Sequence, residues 1–319
     1  MPRFNFFKKQ PKKNDFLIVE VGLEKITCAI FEREGTQIKL MGLGKKSFDS
    51  SEEVFDATLE ALDSLASVVP DLPTRGILGI SGGSLETITT IARYSRPKPK
   101  KQISLAETED VLHQVVEDLN KERKKIFFST VANAVIDGVK VSNPLGLKGE
   151  KMELSCFVAF KDSNEIELLD RLMDEIDMKI EKIVPTSFAI SKILTSKNLE
   201  DVLIFRLGED KSELTVMEDG HVSEILPVGI GNKEPQLLHL AWQAAIKKFD
   251  DGKLPDLIWL FADNDRVDLA KVTEILREFP WKSKLGFQLE PKIEVAGNIQ
   301  NFSPSDLGIY ALSLQELES

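Results

Sequence analysis

The chain has 319 residues, 42% of them apolar and 29% charged, a balance that excludes a fibrous or largely disordered protein. A chain of this length can bury a full core, as two ordinary domains or one bilobed body. Its 41 basic and 52 acidic side chains leave a net charge of −11, which excludes general binding to nucleic acid backbones and leaves only a local basic patch for such a role. Cys28 and Cys156 sit in strand-like apolar runs and read as reduced core thiols. His113, His221 and His239 lack metal-ligand spacing, so no metal centre is expected. No apolar run reaches the roughly 18 residues a membrane-spanning helix needs.

The chain opens with MPRFNFFKKQPKKN, which has neither the apolar stretch nor the small-residue cleavage site of a signal peptide. Its lysines Lys8, Lys9, Lys12 and Lys13 stand beside Phe4, Phe6 and Phe7. The segment reads either as a solvated leader or as a weak anchor to anionic lipid, with rings at the interface and lysines on the headgroups.

Three short β runs follow, FLIVEVG, KITCAIFE and TQIKLMGLG. Val54, Phe55, Leu59, Leu62 and Leu65 then recur at helical spacing, and GILGIS closes the unit as a buried strand. Residues 84–183 change pattern. ETITTIARY is a strand, and SRPKPKKQ a basic loop broken by proline. Ser104 to Glu107 is a capping box opening a helix. IFFSTVANAVID and KMELSCFVAF are strands flanking a turn-rich GVKVSNPLGLKGE. A helix over 164–177, the strand KIEKIV and the helix TSFAISKIL end this section. From residue 201 the first pattern returns: DVLIFRLG, SELTVME and HVSEILPVG, with Asp219-Gly220 as a hairpin turn, then a helix, the strand DLIWLFA and a helix. A β-β-β-α-β order repeated in this way predicts two similar lobes facing each other across a cleft, the layout of the actin and sugar-kinase architecture. The expected organisation is a basic tail over 1–14, lobe one at 15–83 with 184–199, an inserted α+β subdomain at 84–183, and a reduced lobe two at 200–319.

Residues 136–149 narrow the reading. Ile136-Asp137-Gly138, followed by Asn143-Pro144-Leu145-Gly146-Leu147-Lys148-Gly149, resembles the run found inside the inserted subdomain of the bacterial cell-division protein FtsA. ILGISGG before the insertion, SLAETEDVLHQV at its first helix and SPSDLGIYAL near the end of the chain are similar to the corresponding FtsA segments. Element order is similar over about 16–319. The resemblance implies an α/β, actin-like (ribonuclease H-like) fold that polymerises or docks partners at the division site. The related PilM family of type IV pilus assembly is also similar, through the basic start followed at once by the first strand. The Asn143–Gly149 run favours FtsA.

In that fold, two glycine-rich turns present backbone N–H groups to nucleotide phosphates, a carboxylate at the end of each lobe's first strand holds magnesium, and a Gly-Gly turn admits the base. This sequence departs from all three. The first turn, Asp-Ile-Gly-Thr-x-Lys in the family, is Glu20-Val21-Gly22-Leu23-Glu24-Lys25. The second is Arg206-Leu207-Gly208-Glu209-Asp210-Lys211-Ser212-Glu213, with an arginine at a metal-binding acid and with Glu209 and Asp210 placed to repel a triphosphate. The third is Leu260-Phe261-Ala262-Asp263, where side chains close the slot for the base. The nucleotide positions Glu20, Gly22, Lys25, Arg206, Gly208, Glu213, Ala262 and Asp263 therefore predict a degenerate site, neither ATPase nor kinase; no cofactor is expected, with binding of ATP and magnesium without hydrolysis as the alternative. Gly22 and Gly208 read as turn glycines, and Lys25 as either a solvated strand residue or a phosphate ligand. Arg206 is expected to pair with Glu20 across the cleft in place of the bridging magnesium.

The partners implied are division-site or pilus membrane proteins, engaged through cytoplasmic tails, with self-association as a further mode. The implied location is the cytoplasm, peripheral to the inner face of the membrane. FtsA reaches the membrane through a C-terminal helix after a linker, and the sequence given stops at ALSLQELES, so that route is not expected. Arg93, Arg96, Lys98, Lys100 and Lys101 form a basic, proline-broken loop expected to be exposed, reading either as a solvated connection or as a contact for an acidic tail or anionic lipid.

Overall fold

A computed structural model describes residues 14–69, 71–119, 124–246, 254–285, 287 and 289–317. The expectation for the basic tail lies outside these residues, apart from Asn14. The chain begins with β1 (Asp15–Val21), β2 (Lys25–Glu34), β3 (Gln37–Ser47), α1 (Val54–Ala66) and β4 (Arg75–Ile80). It continues through β5 (Glu86–Ser95), α2 (Leu105–Asp118), β6 (Lys124–Ile136), β7 (Val139–Val141) and β8 (Lys151–Asp162). Next come α3 (Ser163–Glu175), β9 (Lys179–Pro185), α4 (Thr186–Ser196), β10 (Val202–Leu207), β11 (Ser212–Glu218) and β12 (His221–Val228). The last part holds α5 (Pro235–Ile246), β13 (Leu257–Ala262), α6 (Leu269–Glu278), α7 (Trp281–Leu285), β14 (Lys292–Val295) and α8 (Leu307–Leu314).

Two five-stranded sheets have the same order, β3-β2-β1-β4-β9 and β12-β11-β10-β13-β14. In each, a three-stranded antiparallel meander is extended by two parallel strands. The central strands β1 and β10 carry near-continuous apolar runs because helices cover both of their faces. On the outer face of the first sheet, α1 and α3 pack Leu62, Leu65, Leu169 and Leu172 against Leu17, Val19 and Leu78. On the outer face of the second, α5, α6 and α7 pack Trp242, Leu276 and Trp281 against Phe205 and Leu260. Between the sheets a shared core joins Ile18 and Ile77 of the first to Ile204 and Trp259 of the second through α4 and α8. Fully burying a Leu or Ile side chain contributes on the order of 1.5–3 kcal/mol, so this shared layer makes one body of the two lobes.

The repeat is longer than the sequence pattern suggested. Each copy runs on through a helix, a fifth strand and a final helix: α3-β9-α4 in the first, α6-α7-β14-α8 in the second. This corrects two expected boundaries. Residues 163–183 lie with lobe one, because β9 pairs in parallel with β4 and the apolar stripe of α3 joins that lobe's core. Residues 307–314 are not confined to lobe two, because α8 packs in the shared layer. The inserted sheet proper is β5-β8-β6-β7, spanning Glu86–Asp162, with α2 on one face.

The hairpin at Asp137-Gly138 turns through positive φ at both residues (49° and 84°), as does Asp219-Gly220 (53° and 78°), the backbone that joins twisted strands tightly. Asp137 also accepts N–H groups of Glu150 and Lys151 at 2.8–3.2 Å, which folds the Asn143–Gly149 run back onto the hairpin.

Candidate functional site

The two meanders bring their first turns face to face. Glu20 and Arg206 are each the next-to-last residue of their strands, β1 and β10; the sheets meet there, and both side chains are buried. Arg206 Nη2 lies 2.6 Å from Glu20 Oε1 and 2.6 Å from Asp263 Oδ1, and Nη1 donates to Ser81 Oγ at 2.6 Å. Burial opposes the charge on Arg206, but Asp263 and Glu20 outweigh it, and its pKa is raised. The expected cross-cleft pair is present, with Asp263 as a second carboxylate partner that sequence reasoning did not supply.

The turns themselves are filled. The Glu24 carboxylate accepts the backbone N–H groups of Glu209 at 2.5 Å, Asp210 at 2.6 Å and Lys211 at 3.0 Å. Reciprocally, Asp263 accepts the N–H groups of Leu23 at 3.1 Å and Glu24 at 3.0 Å. Convergent N–H groups in a turn form an anion-binding concavity. In both turns that anion is a carboxylate of this chain. Burial raises the Glu24 pKa, and the N–H groups of Glu209 and Asp210 oppose the rise.

The glycines follow from this packing. A Cβ on Gly22 would sit 2.8 Å from Asp263 Oδ1 and 3.1 Å from Arg206 Nη2; one on Gly208 would sit 2.7 Å from Glu24 Oε2. Each leaves room for the carboxylate seated in its turn. Glu213 is buried and spans to lobe one, accepting Gly82 N–H at 2.8 Å and the Ser187 hydroxyl. Burial raises its pKa against the pull of Arg206. Ala262 is buried at the end of β13, opposite Leu207.

Three expectations need correction. Lys25 is neither solvated nor placed for phosphate: it is buried, donates to Ser305 O at 2.6 Å and lies 3.7 Å from Asp306 Oδ1. The side chains of Glu209 and Asp210 are paired with Arg266 and Lys233, each at 2.6 Å, so they are not repulsive charges in the cleft. Arg96 is buried, not exposed. It binds Glu107 in two-pronged fashion at 2.6 and 2.9 Å and donates to Gly149 O at 2.9 Å and Lys101 O at 3.0 Å. The Asn143–Gly149 run and the basic loop are therefore parts of one brace. Arg93 is exposed and pairs with Glu153 at 3.1 Å, and Lys98, Lys100 and Lys101 are exposed.

Sequence reasoning missed Glu24, Ser81 and Asp306. The available signal was the pair of carboxylates, at 24 and 263, in turns where the resemblance to FtsA implies phosphate or base. Among the described residues there is no group of three potential ligands arranged to hold a metal ion, and no helix long and apolar enough to cross a membrane. Both cysteines are free, and burial pushes the Cys156 thiol up to about 11.

Two repeated sheets sharing a helical layer, with paired turns at their junction, define an actin-like fold. Among solved structures, the chain is similar to the PilM–PilN type IV pilus biogenesis complex, with TM-score 0.61 and 13% identity over 95% of this chain and 99% of that one. It is also similar to a Bacteroides thetaiotaomicron protein with an actin-like ATPase fold and unknown function, with TM-score 0.52 and 11% identity over 98% of this chain and 99% of that one. In sequence it is similar to the cell division protein FtsA of two Helicobacter pylori strains, 25% identical over 173 residues. That match takes in 52% of this chain and 35% of each FtsA. No family model matches. The chain has an actin-like fold, and it is similar to FtsA in sequence over about half its length and to PilM in structure.

Proposed function

We propose that this protein is an actin-fold scaffold whose lobes are held together by its own side chains instead of by nucleotide. It recruits bacterial cell-division proteins at the inner face of the membrane, through their cytoplasmic tails, as an FtsA-like protein would. The observation that carries the reading is the seating of Glu24 and Asp263 on the N–H groups of the two turns, with Arg206 between the lobes. A carboxylate in such a nest takes the donors a phosphate would need and repels it by charge. The proposal assigns no ATPase activity and no cofactor. The Asn143–Gly149 run and the sequence match to FtsA support the division role. A second reading, a PilM-like platform of type IV pilus assembly, is supported by the near full-length structural likeness to the PilM–PilN complex.

The test has two arms. Titration of the pure protein with Mg·ATP should give no binding heat, and phosphate release should stay at background; magnesium-dependent release overturns the locked-lobe reading. Immobilised cytoplasmic tails of division proteins and of pilus inner-membrane proteins should then be compared. Retention on a division tail supports the first reading, retention on pilus tails alone the second.

A further inference from the structure

The inserted subdomain carries a groove of about 780 Å³ between β5 and α2, away from the filled turns. One wall is the outer edge of β5. In the four-stranded sheet β5 is terminal and pairs only with β8. Its first half is covered by lobe two, where Thr89 donates to Ser223 O at 2.6 Å and Thr87 accepts Ile225 N–H at 2.8 Å. Its second half, Ile91–Ser95, has no further strand beside it among the described residues. Alternate residues of an edge strand turn N–H and C=O groups outward, ready for another strand.

The opposite wall is α2. Val111, Val115 and Leu119 recur every four residues on one stripe and are only half-buried. Thr108 is the one fully buried residue of this helix, so the stripe is incompletely covered by the sheet beneath it. Small residues, Thr90 and Ala92, stand opposite on β5.

The ends of the groove differ in charge. Arg96 ties the end of β5 to Glu107 in the first turn of α2, which sets the exposed Lys98 and Lys101 at one end. Asp118 stands in the last turn of α2, at the other end. Lys98, Lys101 and Asp118 form no salt bridge among the described residues.

We propose that this groove binds an extended segment of a partner protein, added as a strand to β5 at Ile91–Ser95. Main-chain hydrogen bonds to the free edge supply affinity, and alternate apolar side chains fill the stripe on α2. An acidic end lies against Lys98 and Lys101, and a basic end against Asp118. The inference rests on the reading of the protein as a scaffold, and names the surface and the chemistry of one of its partners.

The probe is a labelled ten-residue peptide of alternating valine and threonine, with two aspartates at one end and two lysines at the other, made in both sequence directions because an added strand can run either way. One direction is expected to bind the full chain and to slow hydrogen exchange at Ile91–Ser95. Val115→Lys, and separately the double change Lys98→Glu with Lys101→Glu, should each weaken binding at least tenfold. The two lysines are exposed, so the double variant remains informative if Val115→Lys disturbs folding. Absence of binding by both peptides, unweakened binding by the double variant, or protection confined to other segments overturns the proposal. So does a concentration-dependent dimer of the protein alone that the double variant abolishes, which would make a second copy the occupant. Nucleotide does not enter this assay, so its failure leaves the locked-lobe reading standing.

Discussion

Glu20 Oε1 and Arg206 Nη2 lie 2.6 Å apart, at equivalent places in the two repeats, and both are buried. Removing one partner of a buried ion pair strands the other charge. Arg206→Met, which leaves Glu20 and Asp263 uncompensated, is expected to cost about 3–5 kcal/mol in urea unfolding. Glu20→Gln keeps an acceptor and leaves the Arg206–Asp263 pair, so it should cost distinctly less. A loss near zero for Arg206→Met would mean that the apolar layer alone joins the lobes.

Glu24 satisfies three backbone N–H groups that have no other acceptor in the second turn. Glu24→Ala should destabilise by about 1 kcal/mol, since the three donors it leaves unmet are only partly buried. Inorganic phosphate or sulfate should then raise the melting temperature of the variant and leave the wild type unmoved. Equal anion effects on both proteins would show that the emptied turn is not an anion nest.

Two carboxylates give opposite pH dependence. Glu213 has a raised pKa in the fold, chiefly from burial. Its contribution to stability is therefore present below the ordinary carboxylate value and is lost as pH rises through the raised one. Glu107 is lowered, chiefly by its hydrogen bond from Arg96, and so contributes above its ordinary value and loses that contribution as pH falls. Unfolding free energies at pH 5 and pH 8 should show Glu213→Gln gaining on the wild type toward high pH, and those at pH 6 and pH 3 should show Glu107→Gln gaining on it toward low pH.

The basic loop divides into one internal residue and several external ones. Arg96→Ser removes a brace between β5, α2 and Gly149, and should lower the melting temperature clearly. Replacing Lys98, Lys100 and Lys101 together with Ser should change stability by no more than about 0.5 kcal/mol, the usual range for exposed sites. A neutral Arg96→Ser would remove the brace from the account.

Gly308 of α8 passes over the Glu20 carboxylate so closely that a Cβ would collide with Oε1. Gly308→Ala should destabilise by about 1–3 kcal/mol as an overpacked core site. Calorimetry of this variant beside Gly297→Ala, at a glycine with open space around it, separates the collision from a general glycine effect.

The strands and the duplicated meander were legible because period and punctuation are local properties. Phe16 to Val21 and Val202 to Leu207 read as buried strands from their own letters. β14 was not: Lys292–Val295 has four residues, two of them charged, and is a strand only because β13 offers it an edge. The Glu20–Arg206 pair was legible because the two residues stand at equivalent places in the repeated strands, where the resemblance to FtsA implies a magnesium ligand. Glu24 and Lys25 were not, since their partners lie at Glu209–Lys211 and at Ser305–Asp306, and only the closed fold brings those stretches together. Arg96 misled for the same reason. In sequence it belongs to a run of exposed cations, while in space it faces Glu107 and two carbonyls.

The shared layer between the sheets has a temporal side. α4 becomes available midway through synthesis, but its companion α8 is made of residues 307–314, after every strand of both sheets. A nascent chain therefore holds Ile18, Ile77, Ile204 and Trp259 beside a half-built layer until those residues leave the ribosome. During that interval the unfinished apolar surface is exposed to chaperones and proteases, and docking of the lobes is completed only once residues 307–314 have been made.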